Sequence, residues 1–195
     1  LDVSSLAAGE PDFPTPEHIS RAGKAAIDKG RTVYTATAGI PELRAAVAGH
    51  YRDRGVNYRP AQVIVTTGAK QALVGALNAL LEPGDEVLLP APCWLSYPEM
   101  IRMAGGVPAV VHATAVQGYI PDIVQIEEAV TARTKALILN NPSNPTGAVW
   151  SREQLEELAA LAEKYDFAVI SDEIYEALCY DGRSATIFAG LSDDA

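Results

Sequence analysis

From residue 63 onward, the sequence alternates short apolar runs with longer segments whose apolar side chains recur every three to four residues. The first pattern is typical of buried strands and the second of amphipathic helices. The predicted strands are 63–66, 86–89, 107–111, 135–139 and 167–171. The predicted helices between them are 71–81, 94–103, 123–130 and 152–165. This alternation favours an α/β fold of three layers, α/β/α, with a mostly parallel sheet.

The N-terminal part has a different pattern. Residues 1–18 contain three prolines, which favour an extended arm over a helix. Residues 19–29 and 41–54 have helical patterns. We therefore expect an N-terminal arm and helix over residues 1–33, followed by a larger domain over residues 34–195.

Charge and residue usage argue against several kinds of partner. The formal net charge is −10, whereas nucleic-acid surfaces need clustered Lys and Arg. No apolar stretch is long enough to span a bilayer, so no membrane partner is expected. Cys93 and Cys179 form no CxxC pair, which fits a reducing, cytoplasmic compartment. The histidines are scattered, and dinucleotide-binding and P-loop glycine patterns are absent, so no metal or nucleotide site is predicted.

Parallel sheets bind ligands beyond the carboxyl ends of their strands, so the residues after each predicted strand are the candidates. After the first strand, residues 67–70 are Thr-Gly-Ala-Lys and begin a helix. Small residues at a positive helix end let a phosphate approach main-chain N–H groups. An ordinary tight turn would explain the same residues.

The segment after the predicted strand 135–139 is polar and contains two Asn-Pro steps. Each step restricts the backbone to extended conformations and fixes a polar side chain. Asn144, which precedes the second proline, is placed to hydrogen-bond a ligand at the end of the strand. A plain loop could use these residues as well.

An acidic residue, Asp172, follows the last predicted strand. A carboxylate there is costly unless it has a partner, and a cationic ring nitrogen would be one. Tyr175, about one helical turn further on, could reach the same ligand. The alternative is that Asp172 caps a following helix.

Taken together, these segments resemble the class I, fold-type I family of pyridoxal 5'-phosphate (PLP) dependent aminotransferases, most closely the aspartate aminotransferase subgroup. The resemblance runs from Gly9 to about Gly182, and its most specific parts are 141–147 (NPSNPTG) and 171–175 (SDEIY). Supporting matches, in the family's order, are 8–13 (AGEPDF), Tyr34 with 39–44 (GIPELR), 68–70 (GAK) and 92–97 (PCWLSY).

The resemblance implies the following roles. Asp172 pairs with the ring nitrogen of PLP and keeps it protonated. Tyr175 and Asn144 hydrogen-bond the phenolic oxygen of the ring, and Trp94 stacks on the ring. The cofactor phosphate lies at the turn formed by Gly68, Ala69 and Lys70.

For the substrates, an amino acid and a 2-oxo acid, the resemblance implies contacts from Gly9, Trp94 and Asn144. Lys70 is associated in such relatives with the distal carboxylate of a dicarboxylic substrate, which indicates L-aspartate with 2-oxoglutarate; a solvated lysine is the alternative. Tyr34 would reach the cofactor phosphate of a partner subunit, which implies a homodimer with shared active sites.

The family's Schiff-base lysine has no counterpart among the lysines here, and the resemblance places it beyond Ala195. We therefore expect the chain to be a fragment, truncated within its large domain and inactive alone. Three alternatives stay open at this point. They are a β-lyase, aromatic or prephenate enzyme of the same family, the effector domain of a transcription regulator, and a nucleotide-binding α/β domain.

Overall fold

The computed structural model describes Gly9 and residues 13–191, and the chain divides into two compact units, Leu1–Thr37 and Ala38–Ala195. In the first unit, helix α1 covers Glu17–Asp28, close to the predicted 19–29. All other helices and strands of the described residues belong to the second unit.

The second unit contains a four-stranded sheet in which every pair of neighbouring strands is parallel. The strands are β1 (Glu86–Ala91), β2 (Val107–His112), β3 (Thr134–Asn140) and β4 (Ala168–Asp172). Their order across the sheet is β2-β1-β3-β4. All four were predicted from their apolar runs, to within two residues at every end.

Helices cover both faces of this sheet. Those in the two cores are α3 (Ala69–Leu80), α4 (Ser96–Met103), α5 (Ile123–Glu128) and α6 (Arg152–Tyr165), and α2 (Pro41–Arg52) precedes them in the chain. One core contains Leu73 of α3 and Ile101 of α4 with Val87 of β1. The opposite core contains Ile126 of α5 and Leu158 of α6. Side chains of a strand alternate between faces, so the two cores confirm the predicted three-layer α/β/α fold.

Helix α6 begins where the sequence indicates, because its capping box forms. The main-chain N–H of Gln154 donates to Ser151 Oγ at 3.2 Å, and that of Ser151 donates to Gln154 Oε1 at 2.9 Å. The helix ends at Tyr165, and Asp166 follows in the left-handed region at φ 55°. This turn leads into β4 and so places the end of that strand.

The strand prediction for residues 63–66 is wrong. Val63 has extended dihedral angles, but the segment pairs with no strand of the described sheet. Its hydrogen bonds are isolated: Val65 N–H donates to the carbonyl of Ala38 at 3.0 Å, and Arg44 Nε donates to that of Val63 at 2.9 Å. β-Branched residues favour an extended backbone, but only a neighbouring strand provides a ladder.

Within the described ranges, no helix is both long enough and apolar enough to cross a lipid bilayer.

Candidate cofactor site at the carboxyl edge of the sheet

The carboxyl ends of the four strands lie at one edge because the strands are parallel. Asn140, the last residue of β3, is in register with Asp172, the last residue of β4. The amide side chain of Asn140 donates from Nδ2 to the main-chain carbonyl of Asp172 at 3.0 Å. The two polar residues that end these apolar strands are therefore tied together.

The Asp172 carboxylate is buried, with 8% of the residue exposed, and both of its oxygens have donors. Oδ2 accepts a hydrogen bond from the Tyr97 hydroxyl at 2.7 Å. Oδ1 accepts one from the main-chain N–H of Ile174 at 3.2 Å. The alternative that Asp172 caps a helix is wrong, since residues 174–177 form a turn. The carboxylate is held in one orientation and, with about four lone-pair sites, can accept a further donor.

Tyr97 on α4 connects this acid to Trp94. Its ring meets that of Trp94 edge to face, with centroids 5.4 Å apart at 85°. Lys70 Nζ lies 4.9 Å from the centroid of the Trp94 ring, within cation–π range. Burial, and then the hydrogen bond to Asp172, raise the pKa of Tyr97 well above its ordinary value. Tyr97 therefore keeps its proton at physiological pH and acts as a donor.

The turn before α3 has the features expected of an anion site. Helix α3 begins at Ala69, directly after Gly68, whose φ of +80° favours glycine. The N–H groups in the first turn of a helix lack intrahelical acceptors and form a positive end. The main-chain N–H of Thr67 donates to Gln71 Oε1 at 2.5 Å, which fixes the entry to the helix.

A cavity of about 490 Å³ joins this turn to the acid. Ala69 at the start of α3, and Asp172 and Ile174 at the end of β4, contribute to its wall. Ala69 of the predicted phosphate turn and Asp172, the predicted ring-nitrogen partner, thus line one cavity. The other predicted residues of the second unit do not line it: Gly68, Lys70, Trp94, Asn144 and Tyr175.

Helix α2 supplies another wall of this cavity, through His50 and Tyr51. His50 Nε2 lies 3.1 Å from Glu176 Oε1, and Arg54 Nη1 lies 3.1 Å from His50 Nδ1. Because arginine only donates, Nδ1 accepts and Nε2 carries the proton toward Glu176. Burial, followed by the charge of Glu173, raises the pKa of Tyr51 to about 12. These contacts fix α2 against the turn that follows Asp172.

The loop after β3 is also tied to β4. The main-chain N–H of Asn144 donates to Asn140 Oδ1 at 2.7 Å, and that of Asn141 donates to the carbonyl of Asp172 at 3.2 Å. Asn144 is half-buried, as is Tyr175 on the neighbouring loop. Tyr175 is among the groups that raise the pKa of Tyr97, so it lies near the same cluster.

Two of the predicted site residues belong to the N-terminal unit. Gly9 and Tyr34 are both exposed there. Their roles toward substrate and toward a partner subunit stay predictions.

Sequence reasoning missed Tyr97 as a partner of Asp172, and Asn140 and Asn141 as anchors of the loop. A signal was present for Tyr97, which follows Trp94 by three residues in a predicted helix and therefore shares its face. The cost of an unpartnered acid also demanded a donor. Which donor would reach it depends on tertiary packing.

The chemistry of the set fits PLP. A positive helix end suits a phosphate, a buried carboxylate suits a pyridinium nitrogen, and an indole face suits a flat ring. No group of three or more His, Cys, Asp or Glu residues in the part of the chain that the structure describes could hold a metal ion. The fold and site define an α/β protein with a PLP-type site at the sheet's carboxyl edge.

The family model for aminotransferase class I and II matches residues 2–195. The chain therefore belongs to this family, whose members depend on PLP, and the predicted family is confirmed.

Relatives of high similarity support the same assignment. The aspartate/prephenate aminotransferase of Thermus thermophilus is 51% identical over 184 residues, which are 94% of this chain and 48% of the relative. The aspartate aminotransferase of Bacillus subtilis is 42% identical over 193 residues, 98% of this chain and 49% of the relative. The chain thus spans about half the length of these relatives.

Solved structures agree with the fold. The aspartate aminotransferase from Thermus thermophilus with maleate superposes with a TM-score of 0.93 at 49% identity, covering 95% of this chain and 49% of that one. The aromatic aminotransferase from Pyrococcus horikoshii superposes with a TM-score of 0.96 at 40% identity, covering 99% of this chain and 52% of that one.

Proposed function

We propose that the protein transfers the amino group of L-aspartate to 2-oxoglutarate with PLP, giving oxaloacetate and L-glutamate. The observation that carries the proposal is the buried Asp172 carboxylate, which lines one cavity with the N-terminal residue of α3. This arrangement suits a ligand with a cationic ring nitrogen at one end and a phosphate at the other. The names of these relatives, aspartate and aspartate/prephenate aminotransferases, support the same reaction.

Bound PLP supplies an electron-withdrawing ring that makes the Cα proton of an attached amino acid removable. In the proposal, Asp172 holds a proton on the ring nitrogen, and its burial strengthens that ion pair because the local dielectric is low. Trp94 packs on one face of the ring. The main-chain N–H groups of Ala69 and Lys70, after Gly68, bind the phosphate.

The remaining predicted residues complete the proposal. Asn144 and Tyr175 donate to the phenolic oxygen, and Asn144 and Gly9 also bind the substrate α-carboxylate. Tyr34 serves the partner's site in a homodimer. We assign the proton transfer at Cα to no residue of this chain. Cys93 and Cys179 are both free thiols, which supports a cytoplasmic location.

Lys70 supports aspartate as the amino donor. Its ammonium group lies 4.9 Å from the Trp94 ring centroid, beside the proposed ring site, and a cation there suits a second carboxylate on the substrate. The second candidate is an aromatic amino acid or a prephenate-derived amino donor. It is supported by a relative named aspartate/prephenate aminotransferase and by a solved aromatic aminotransferase.

The reaction is tested on the polypeptide as its gene encodes it, purified and mixed with PLP, L-aspartate and 2-oxoglutarate. We expect oxaloacetate and L-glutamate in equal amounts, followed by coupled absorbance and chromatography. Release of alanine and CO2 from aspartate, without formation of L-glutamate, would contradict transamination and favour a lyase. Faster turnover of phenylalanine or prephenate than of aspartate would support the second candidate.

Replacing the lysine beside Trp94 tests the substrate class. Lys70→Met removes the charge but keeps the length of the side chain. We expect kcat/KM for aspartate to fall roughly tenfold, the effect of losing one charged hydrogen bond. Alanine has no distal carboxylate and makes no such hydrogen bond with Lys70, so kcat/KM for alanine should change less than about twofold. Steady-state kinetics with both donors measures the difference.

The matched control is Lys135→Met, near the amino end of β3 and thus at the other edge of the sheet. This variant should leave kcat/KM unchanged for both aspartate and alanine. Equal losses for aspartate and alanine in Lys70→Met would show that Lys70 has no role in choosing the substrate.

A further inference from the structure

The hydrogen bond between Tyr97 and Asp172 is a feature that the proposed chemistry does not by itself require. It joins α4 to β4 across 75 residues of sequence, at 2.7 Å. Tyr97 is 1% exposed and Asp172 8% exposed, so water does not compete for either partner. A tyrosine hydroxyl buried beside a carboxylate is more than a packing feature, since a phenylalanine would fill the same space.

Tyr97 also contacts the other proposed ring ligand. Its ring meets Trp94 edge to face, and the two residues lie three apart in sequence, on one face of the segment around the start of α4. One buried side chain thus lies behind both Asp172 and Trp94. A displacement of Tyr97 would reach both groups.

The carboxylate depends on few donors. Apart from Tyr97, the described donor to its oxygens is the main-chain N–H of Ile174, at 3.2 Å. A buried carboxylate that loses a donor bears a desolvation penalty and gains rotational freedom. Both effects would weaken an ion pair that needs one oxygen held toward the cavity.

We propose that Tyr97 is a positioning residue for Asp172: its hydrogen bond orients the carboxylate so that it pairs with the ring nitrogen of PLP. The inference rests on the proposed function, because it presumes that Asp172 faces that nitrogen. Tyr97 touches neither substrate nor the reacting atoms in this account. It acts through the acid.

The test compares two cofactors that differ only at the ring nitrogen: PLP, and 1-deaza-PLP, in which carbon replaces that nitrogen. Dissociation constants of both are measured by equilibrium dialysis on the whole polypeptide and on Tyr97→Phe. The parent should prefer PLP. In Tyr97→Phe that preference should shrink roughly 3- to 10-fold, mainly through weaker PLP binding, because only PLP has the partner that Asp172 serves.

If Tyr97 had only a structural role, Tyr97→Phe would weaken the binding of both cofactors equally and leave the ratio of their dissociation constants unchanged. Such a result, or a larger preference for PLP in Tyr97→Phe, would overturn the inference. Tyr97→Met also removes the hydroxyl and should reduce the preference for PLP by the same factor. It replaces Tyr97→Phe in the test if the phenylalanine variant does not fold. Tyr165→Phe removes another tyrosine-to-carboxylate hydrogen bond, 2.8 Å from Glu127, and should leave the ratio at the parent value.

The parent protein distinguishes the two proposals. A parent that binds neither cofactor, or both equally, would refute the proposed role of Asp172, and the inference about Tyr97 would fall with it. A parent that prefers PLP, together with a Tyr97→Phe variant that keeps the same preference, would refute the role of Tyr97 alone.

Discussion

Asp172→Asn should lower kcat/KM for transamination roughly a thousandfold, the scale of losing a preorganised electrostatic group. The amide is neutral at every accessible pH, so residue 172 can no longer hold a proton on the ring nitrogen by charge. The effect belongs mainly to kcat, because the ion pair matters most when the ring accepts electrons. Single-turnover kinetics with aspartate separates this step from binding.

The fold should tolerate this substitution, because the site can satisfy an amide. The asparagine oxygen can accept from the N–H of Ile174, as Asp172 Oδ1 does at 3.2 Å. The amide nitrogen then faces the Tyr97 hydroxyl, which can accept as well as donate. We therefore expect the midpoint of thermal unfolding to change little, which circular dichroism measures.

Asp85→Asn is the matched control. Its carboxylate accepts from the main-chain N–H of Glu82 at 2.8 Å, next to the amino end of β1. It should stay within about twofold of the parent in kcat/KM, as surface changes away from the site do. Activity of Asp172→Asn within tenfold of the parent would contradict the pairing of this residue with the ring.

The sequence predicted most of the secondary structure because apolar spacing and capping are local signals. The capping box at Ser151 and Gln154 placed the start of α6 at the observed residue. Alternation of strand and helix then predicted that Asp172 and the turn at Gly68 lie on one edge. The structure places Ala69 and Asp172 on one cavity, but residues 63–66, which precede that turn, pair with no strand of the described sheet.

What the sequence could not predict depends on contacts between distant residues. The Tyr97 hydroxyl reaches Asp172 over 75 residues, and His50 reaches Glu176 over 126. The strand prediction for residues 63–66 failed for a related reason. Their β-branched composition favours an extended backbone, but a strand also needs a neighbouring strand to pair with. Local pattern therefore placed the acid, while tertiary packing decided which side chain fixes it.

The backbone before α2 provides the second large effect, on stability. Gly39→Ala should lower the free energy of unfolding by roughly 2–6 kcal/mol, since a strained dihedral and an overpacked contact each cost about 1–3 kcal/mol. Gly39 has φ +99°, outside the range that alanine adopts readily. A Cβ there would lie 2.6 Å from Cγ2 and 2.7 Å from Cβ of Val65. Urea unfolding at equilibrium measures the change.

The two causes can be separated because the chain offers a glycine with one of them only. Gly118 has φ +64°, but a Cβ there would meet no atom within 4 Å, so Gly118→Ala should cost only about 1–2 kcal/mol. Val65→Ala combined with Gly39→Ala should recover part of the loss, since it removes the Cγ2 contact and leaves the one at Cβ. The segment around Val65 has few hydrogen bonds with which to resist displacement, one of them 3.0 Å from Val65 N to Ala38 O. If Gly39→Ala lowers the free energy of unfolding no more than Gly118→Ala does, residues 63–66 move aside for the new Cβ. That result would contradict the idea that their close packing against Gly39 fixes the start of α2.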